Sequence, residues 1–61
     1  MKEKELNKKL KKLKLGESFK FETETDEYEV LRVDKNDYCC IINKKIIENY
    51  TKEEFLQKIY G

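Results

Sequence analysis

Leu6, Leu10 and Leu13 recur at i, i+4 and i+7, a narrow apolar stripe that predicts a helix over residues 3–14. Lys4, Lys8, Lys11 and Lys12 fall on the opposite face. Glu3 and Glu5 complement the positive end of the helix dipole and the lysines complement the negative end. Gly16 is placed to cap the C-terminus. A helix this short, with lysines repelling at i, i+4, is marginal alone in water and must dock.

From Ser18 the period changes to two. Phe19, Phe21 and Thr23 alternate with Lys20, Glu22 and Glu24, the pattern of a half-buried strand that sets Glu22 and Glu24 on one face. A polar turn spans Thr25–Glu27, and Tyr28–Asp34 forms the next strand. There Tyr28 and Val30 share one parity and Leu31 and Val33 the other, a slip that indicates a bulge or burial on both sides. Lys35-Asn36-Asp37 is a turn, because Asn and Asp bond their own backbone and tolerate left-handed conformations. Tyr38–Ile42 is continuously apolar and therefore central in the sheet. Asn43-Lys44-Lys45 is a second tight turn before a short strand, Ile46-Ile47-Glu48.

Residues 51–60 carry the strongest local signals. Thr51-Lys52-Glu53-Glu54 is a capping box, and Tyr50 and Phe55 stand at the two positions of a hydrophobic staple. Phe55, Leu56, Ile59 and Tyr60 give the helix one apolar face. The expected fold class is thus α+β: an N-terminal helix, a small three- to four-stranded antiparallel meander and a C-terminal helix, in one domain over 1–61. At 61 residues folding buries only roughly 60% of the unfolded surface, so self-association, most simply a two-fold homodimer, is expected to add buried area.

Charge adds an asymmetry that the net value of +1 conceals. Residues 1–15 carry seven lysines against Glu3 and Glu5, whereas residues 16–29 carry six acids against Lys20. Such a chain can attract nucleic acid or an acidic partner, or neutralise itself within the fold or across a dimer. Alanine and proline are absent, and thirteen lysines stand against one arginine. This is the bias of an AT-rich genome, a low-GC bacterium or one of its phages. No apolar run is long enough to cross a membrane and no signal-peptide core follows the basic N-terminus, so a cytoplasmic location is expected.

Candidate chemistry is sparse. The chain has no histidine or tryptophan and one serine, Ser18, which removes most familiar catalytic arrangements. Cys39 and Cys40 are neighbours on a strand, point to opposite faces and so cannot pair; both read as small hydrophobes in a buried strand. Without histidine, a zinc site would need carboxylates or a second chain to complete it, and neither a metal nor a cofactor is expected. The sequon-like Asn49-Tyr50-Thr51 is explained by the helix cap.

A non-catalytic binding protein is therefore expected, one that occupies a surface on a larger protein. The composition suggests an inhibitor encoded by a phage or mobile element, directed at a host protein such as a defence enzyme. Its contact surface is read as the acidic strand, Glu22, Glu24, Glu27 and Glu29, together with Tyr28, because acids steer association and tyrosine is favoured at interfaces. The alternative is a nucleic-acid-binding regulator that uses Lys4, Lys8, Lys11 and Lys12 against phosphates. Against it stands the single arginine, Arg32, and the need of so small a core for Phe19, Phe21, Tyr28 and Tyr38, which could otherwise stack on bases.

Overall fold

The computed structural model describes residues 2–61 and has the expected α+β architecture. Helix α1 (Glu3–Lys12) leads into an antiparallel meander of β1 (Ser18–Glu22), β2 (Glu27–Asp34), β3 (Asp37–Ile42) and β4 (Ile46–Tyr50), and helix α2 (Lys52–Tyr60) follows. Strand order in the sheet is β1-β2-β3-β4, so every strand pairs with its neighbour in sequence. Both helices contribute to one core on one face of the sheet. Leu6, Leu10 and Leu13 of the N-terminal segment and Phe55 of α2 meet Tyr28, Val30, Tyr38, Cys40 and Ile42.

The cross-strand register explains this sorting. Phe19 lies opposite Val30, Phe21 opposite Tyr28, and Val30 and Tyr28 opposite Cys40 and Ile42, so one parity of every strand faces the helices. The aromatics condense there: Phe21 stacks on Tyr28 with centroids 5.0 Å apart, and Phe55 meets both rings edge-on at 6.1 and 5.9 Å. Phe19, Phe21, Tyr28 and Tyr38 are thus core or core-flanking residues, not a platform for bases.

Helix α2 starts as its sequence dictates. The Glu54 amide donates to Thr51 Oγ1 at 3.2 Å and the Thr51 amide donates to Glu54 Oε1 at 3.0 Å, which completes the box. Tyr50 and Phe55 close the staple at 6.2 Å between centroids. The β2–β3 turn assists from outside, since Asn36 Oδ1 accepts from the Lys52 amide at 3.4 Å. Strand β2 carries a bulge, but at Val33 and not at the Val30–Leu31 step where the parity slips: pairing runs unbroken to Arg32 opposite Tyr38 and then shifts to Asp34 opposite Asp37.

Three local expectations are corrected. Helix α1 ends at Lys12, not residue 14, and its C-cap is Leu13, whose extended backbone still points its side chain into the core. Gly16 is not the cap. With φ +84° it stands third in the tight turn Lys14–Glu17, closed by a 2.9 Å bond from the Glu17 amide to the Lys14 carbonyl, where only glycine adopts positive φ without strain. Strand β3 is interior in the sheet but buried on one face only: Tyr38, Cys40 and Ile42 are buried, whereas Cys39 and Ile41 are half-buried, because no layer covers them. Cys39 therefore does not share the burial expected for both cysteines.

The end of α1 is held by side chains from the sheet. Tyr38 Oη donates to the Leu10 carbonyl at 3.0 Å, and Arg32 Nη1 donates to the Leu13 carbonyl at 2.6 Å. The same guanidinium donates to the carbonyls of Asp34 and Lys35 and lies over the Tyr38 ring, 5.6 Å from its centroid. Among the described residues no helix is long and apolar enough to cross a membrane.

Candidate interaction surface

The outer face of the sheet has no helix on it. Along its rows, Leu31 stands beside Cys39 and Asn49, and Lys20 beside Glu29, Ile41 and Ile47. The result is an apolar centre of Leu31, Cys39, Ile41 and Ile47, with Ile47 66% exposed, in a chain whose other face already supplies the core. Lys20, Glu22, Glu27, Glu29, Ile41 and Lys44 line an open hollow of about 310 Å³ on this side. Exposed apolar area rimmed by charge is the signature of an interaction site.

At one end of the face the charges are strongly arranged. Glu22 lies directly opposite Glu27 across β1 and β2, a like-charge pair that costs stability and has no ion-pair partner among the described residues. The β1–β2 turn beside it is built around Thr23, whose Oγ1 accepts from the Asp26 amide at 3.1 Å. Asn43 of the β3–β4 turn ties the two turns together. Its Nδ2 donates to Asp26 Oδ1 at 2.8 Å, its Oδ1 accepts from the Glu27 amide at 2.8 Å, and its own amide donates to the Glu27 carbonyl. The Asn43 bond, and after it the Thr25 hydroxyl, hold the Asp26 carboxyl below its ordinary pKa, so this end of the sheet stays anionic.

Three residues, Asn43–Lys45, connect the paired Ile42 and Ile46; Asn43 and Lys44 stand at φ 54° and 61° in a tight turn closed by the Lys45 amide on the Ile42 carbonyl at 3.0 Å. Positive φ at both central positions is type I′ geometry, for which Asn-Gly is the preferred pair. Here a lysine occupies the glycine position.

The expected contact residues divide accordingly. Glu22, Glu27 and Glu29 come together on the outer face. Glu24 does not share a strand face with Glu22, because β1 ends at Glu22 and Glu24 sits in the turn. Tyr28 packs in the core on the opposite face and is 8% exposed, so it borders the hollow without presenting its ring beside the glutamates. Alternation alone carries that signal, since Glu27 and Glu29 flank Tyr28 and must point away from it. Leu31, Ile41, Ile47 and Lys44, which the sequence reading did not single out, complete the surface.

Lys4, Lys8, Lys11 and Lys12 are all exposed on α1, on the far side of the molecule from the acidic strand face. Among the described residues no ion pair joins the basic arm to that strand. The ion pair among the described residues joins Lys52 to Glu53, at 3.9 Å. Arg32 is committed to three backbone carbonyls and is not free to read bases.

The two thiols differ. Burial, ahead of its charged neighbours, pushes the Cys40 thiol up to about 12, which leaves it protonated and inert, while Cys39 reaches the outer face. No group of three or more potential metal ligands converges among the described residues. No family model matches the sequence, and comparison with curated proteins and with solved structures likewise finds no match.

Proposed function

We propose that the protein is a non-catalytic binding protein that acts in the cytoplasm by occupying a surface on a larger protein. The observation that carries this reading is the uncovered sheet face, with Leu31, Ile41 and Ile47 at its centre and Glu22, Glu27 and Glu29 beside them. Its complement is an apolar patch flanked by lysine or arginine, which the glutamates would steer into register. The AT-biased composition supports a phage or mobile-element origin and a host protein, such as a defence enzyme, as the target inhibited.

The test is affinity capture from a low-GC bacterial lysate with nuclease added, using the wild-type chain beside Ile47→Glu and the double variant Glu22→Lys/Glu27→Lys. A host protein retained by the wild type and lost by both variants supports the assignment. Retention by both variants removes it.

Nucleic-acid binding stays as the second reading because the α1 lysines are exposed and none forms an ion pair among the described residues. It predicts capture that disappears with nuclease and with replacement of Lys4, Lys8, Lys11 and Lys12 by glutamine. Affinity should also fall steeply with salt, each neutralised phosphate adding to the slope.

A further inference from the structure

We propose that in the absence of a larger partner the outer sheet face is covered by a second copy of the chain, in a face-to-face dimer whose two-fold axis runs parallel to the strands. About that axis the charged end of the face is self-complementary. The β1–β2 and β3–β4 turns lie at the same end of the sheet, joined by Asn43. At that end Glu22 and Glu27 occupy the β1–β2 half, and Lys44 and Lys45 occupy the β3–β4 half.

An axis between β2 and β3, parallel to them, lays each half over the opposite half of the other copy. Glutamates then meet lysines twice, once on each side of the axis; beside the axis Leu31 of each copy meets Cys39 of the other, while Ile41 lies over Glu29 and Ile47 over the aliphatic stem of Lys20. An axis across the strands does the reverse, turning Glu22 and Glu27 toward the end that carries Glu17 and Asp34. Charge thus selects one of the two isologous arrangements, an aligned sandwich of two four-stranded sheets.

Lys44 supplies an independent observation. Its φ of 61° is a conformation that glycine adopts freely and lysine adopts only with strain. The side chain lies on the outer face, across the hollow from Glu22, Glu27 and Glu29, without an ion pair among the described residues. The dimer gives this side chain an ion-pair partner among the glutamates of the other copy.

Area sets the strength. Four strands at about 4.8 Å spacing and five residues at about 3.4 Å give a face of roughly 19 by 17 Å. With side chains, two such faces bury on the order of 1,000 Å², the lower bound of specific association, so the dimer is expected to dissociate reversibly in the micromolar range. The geometry also places the two Cys39 Cα atoms about 11 Å apart, from a 10 Å sheet separation and one strand spacing. That is too far for a disulfide but within reach of a short bismaleimide.

The experiment is sedimentation equilibrium on the full chain from about 10 μM to about 1 mM, a range that spans the expected dissociation constant. Twice the chain mass at the upper end is expected, with bismaleimide cross-linking through Cys39 while buried Cys40 stays unmodified. Lys44→Glu/Lys45→Glu and Glu22→Lys/Glu27→Lys should each weaken the dimer about tenfold or more. Mixing the two variants should restore dimers, because each then offers the other its complement at both sites. Lys44→Gly should weaken association while raising the melting temperature, a combination that misfolding cannot produce.

A chain that stays monomeric throughout the range overturns the proposal. So does a dimer indifferent to Leu31→Glu and to the charge reversals. The dimer shares its face with the docking reading above, but the two fail separately. If the dimer behaves as stated and Ile47→Glu keeps the host partner, the docking reading falls alone. If the wild type is monomeric and Ile47→Glu loses the partner, the dimer falls alone.

Discussion

Tyr38→Phe removes one oxygen atom and tests how the N-terminal helix is fastened. The hydroxyl is buried with its ring, which is 2% exposed, and donates to the Leu10 carbonyl at 3.0 Å. That carbonyl would ordinarily accept from the amide four residues on, but the Lys14 amide has left the helix and donates to Glu17 Oε1 at 2.8 Å. Deleting the hydroxyl therefore strands a buried acceptor, and the expected loss is about 2 kcal/mol, within the usual range for an unsatisfied buried group. A domain of this size has only about 3–9 kcal/mol in total, so the loss is a large fraction of its stability. It corresponds to a fall in melting temperature of roughly 8–16 °C.

The assay is thermal and urea unfolding followed by far-ultraviolet circular dichroism. Amide hydrogen exchange should show protection lost first over residues 6–13. Arg32→Met, which strips the donor from the Leu13 carbonyl, should expose the same segment. A Tyr38→Phe variant within about 0.5 kcal/mol of wild type would refute the argument, because that is the scatter of ordinary surface substitutions.

Asn7 Oδ1 is buried without a hydrogen-bond partner, so Asn7→Leu is expected to raise stability by about 1 kcal/mol, read as a shift of the urea midpoint at constant slope. Under native conditions a maleimide or disulfide reagent should modify Cys39 alone, with Cys40 reacting only at the rate of unfolding; equal rates would refute the burial assigned to Cys40. A hydrogen bond to Glu48 is the main cause, and burial the next, that raises the Tyr50 phenol from 10.0 to about 12. The neutral phenol is the form stabilised by folding, so this contribution is complete below pH 10 and is lost as pH rises from 10 toward 12. Spectrophotometric titration should show Glu48→Gln bringing one tyrosine back toward its ordinary value, with a shallower loss of melting temperature over that interval.

Legibility in the sequence followed the range of the forces involved. The capping box of α2 and its staple lie within six consecutive residues, and both form as read. The meander was legible because alternation is a local property of the backbone, whereas the bulge at Val33 lies beyond the Val30–Leu31 step where the parity slips. The end of α1 was not, since the Leu10 and Leu13 carbonyls are satisfied by Tyr38 and Arg32, far along the chain. Glu24 was misplaced by extending an alternation past the point where Thr23 gathers the turn. The apolar half of the candidate surface escaped for another reason. Ile41 reads as interior in any apolar run, and only the packing of both helices on one side shows that nothing covers it.

The fastening of α1 also fixes an order of events during synthesis. Every strand pairs with its sequence neighbour, so the sheet can assemble hairpin by hairpin as the chain lengthens. Helix α1 is the exception: it emerges ahead of the sheet, yet its anchors are Tyr38 and Arg32, which exist as a pair only once the β2–β3 hairpin has formed. A segment with seven lysines and two glutamates thus leaves the ribosome ahead of its anchors and must wait, unfastened, until the β2–β3 hairpin has followed it. The sequence of appearance and the sequence of docking run in opposite directions.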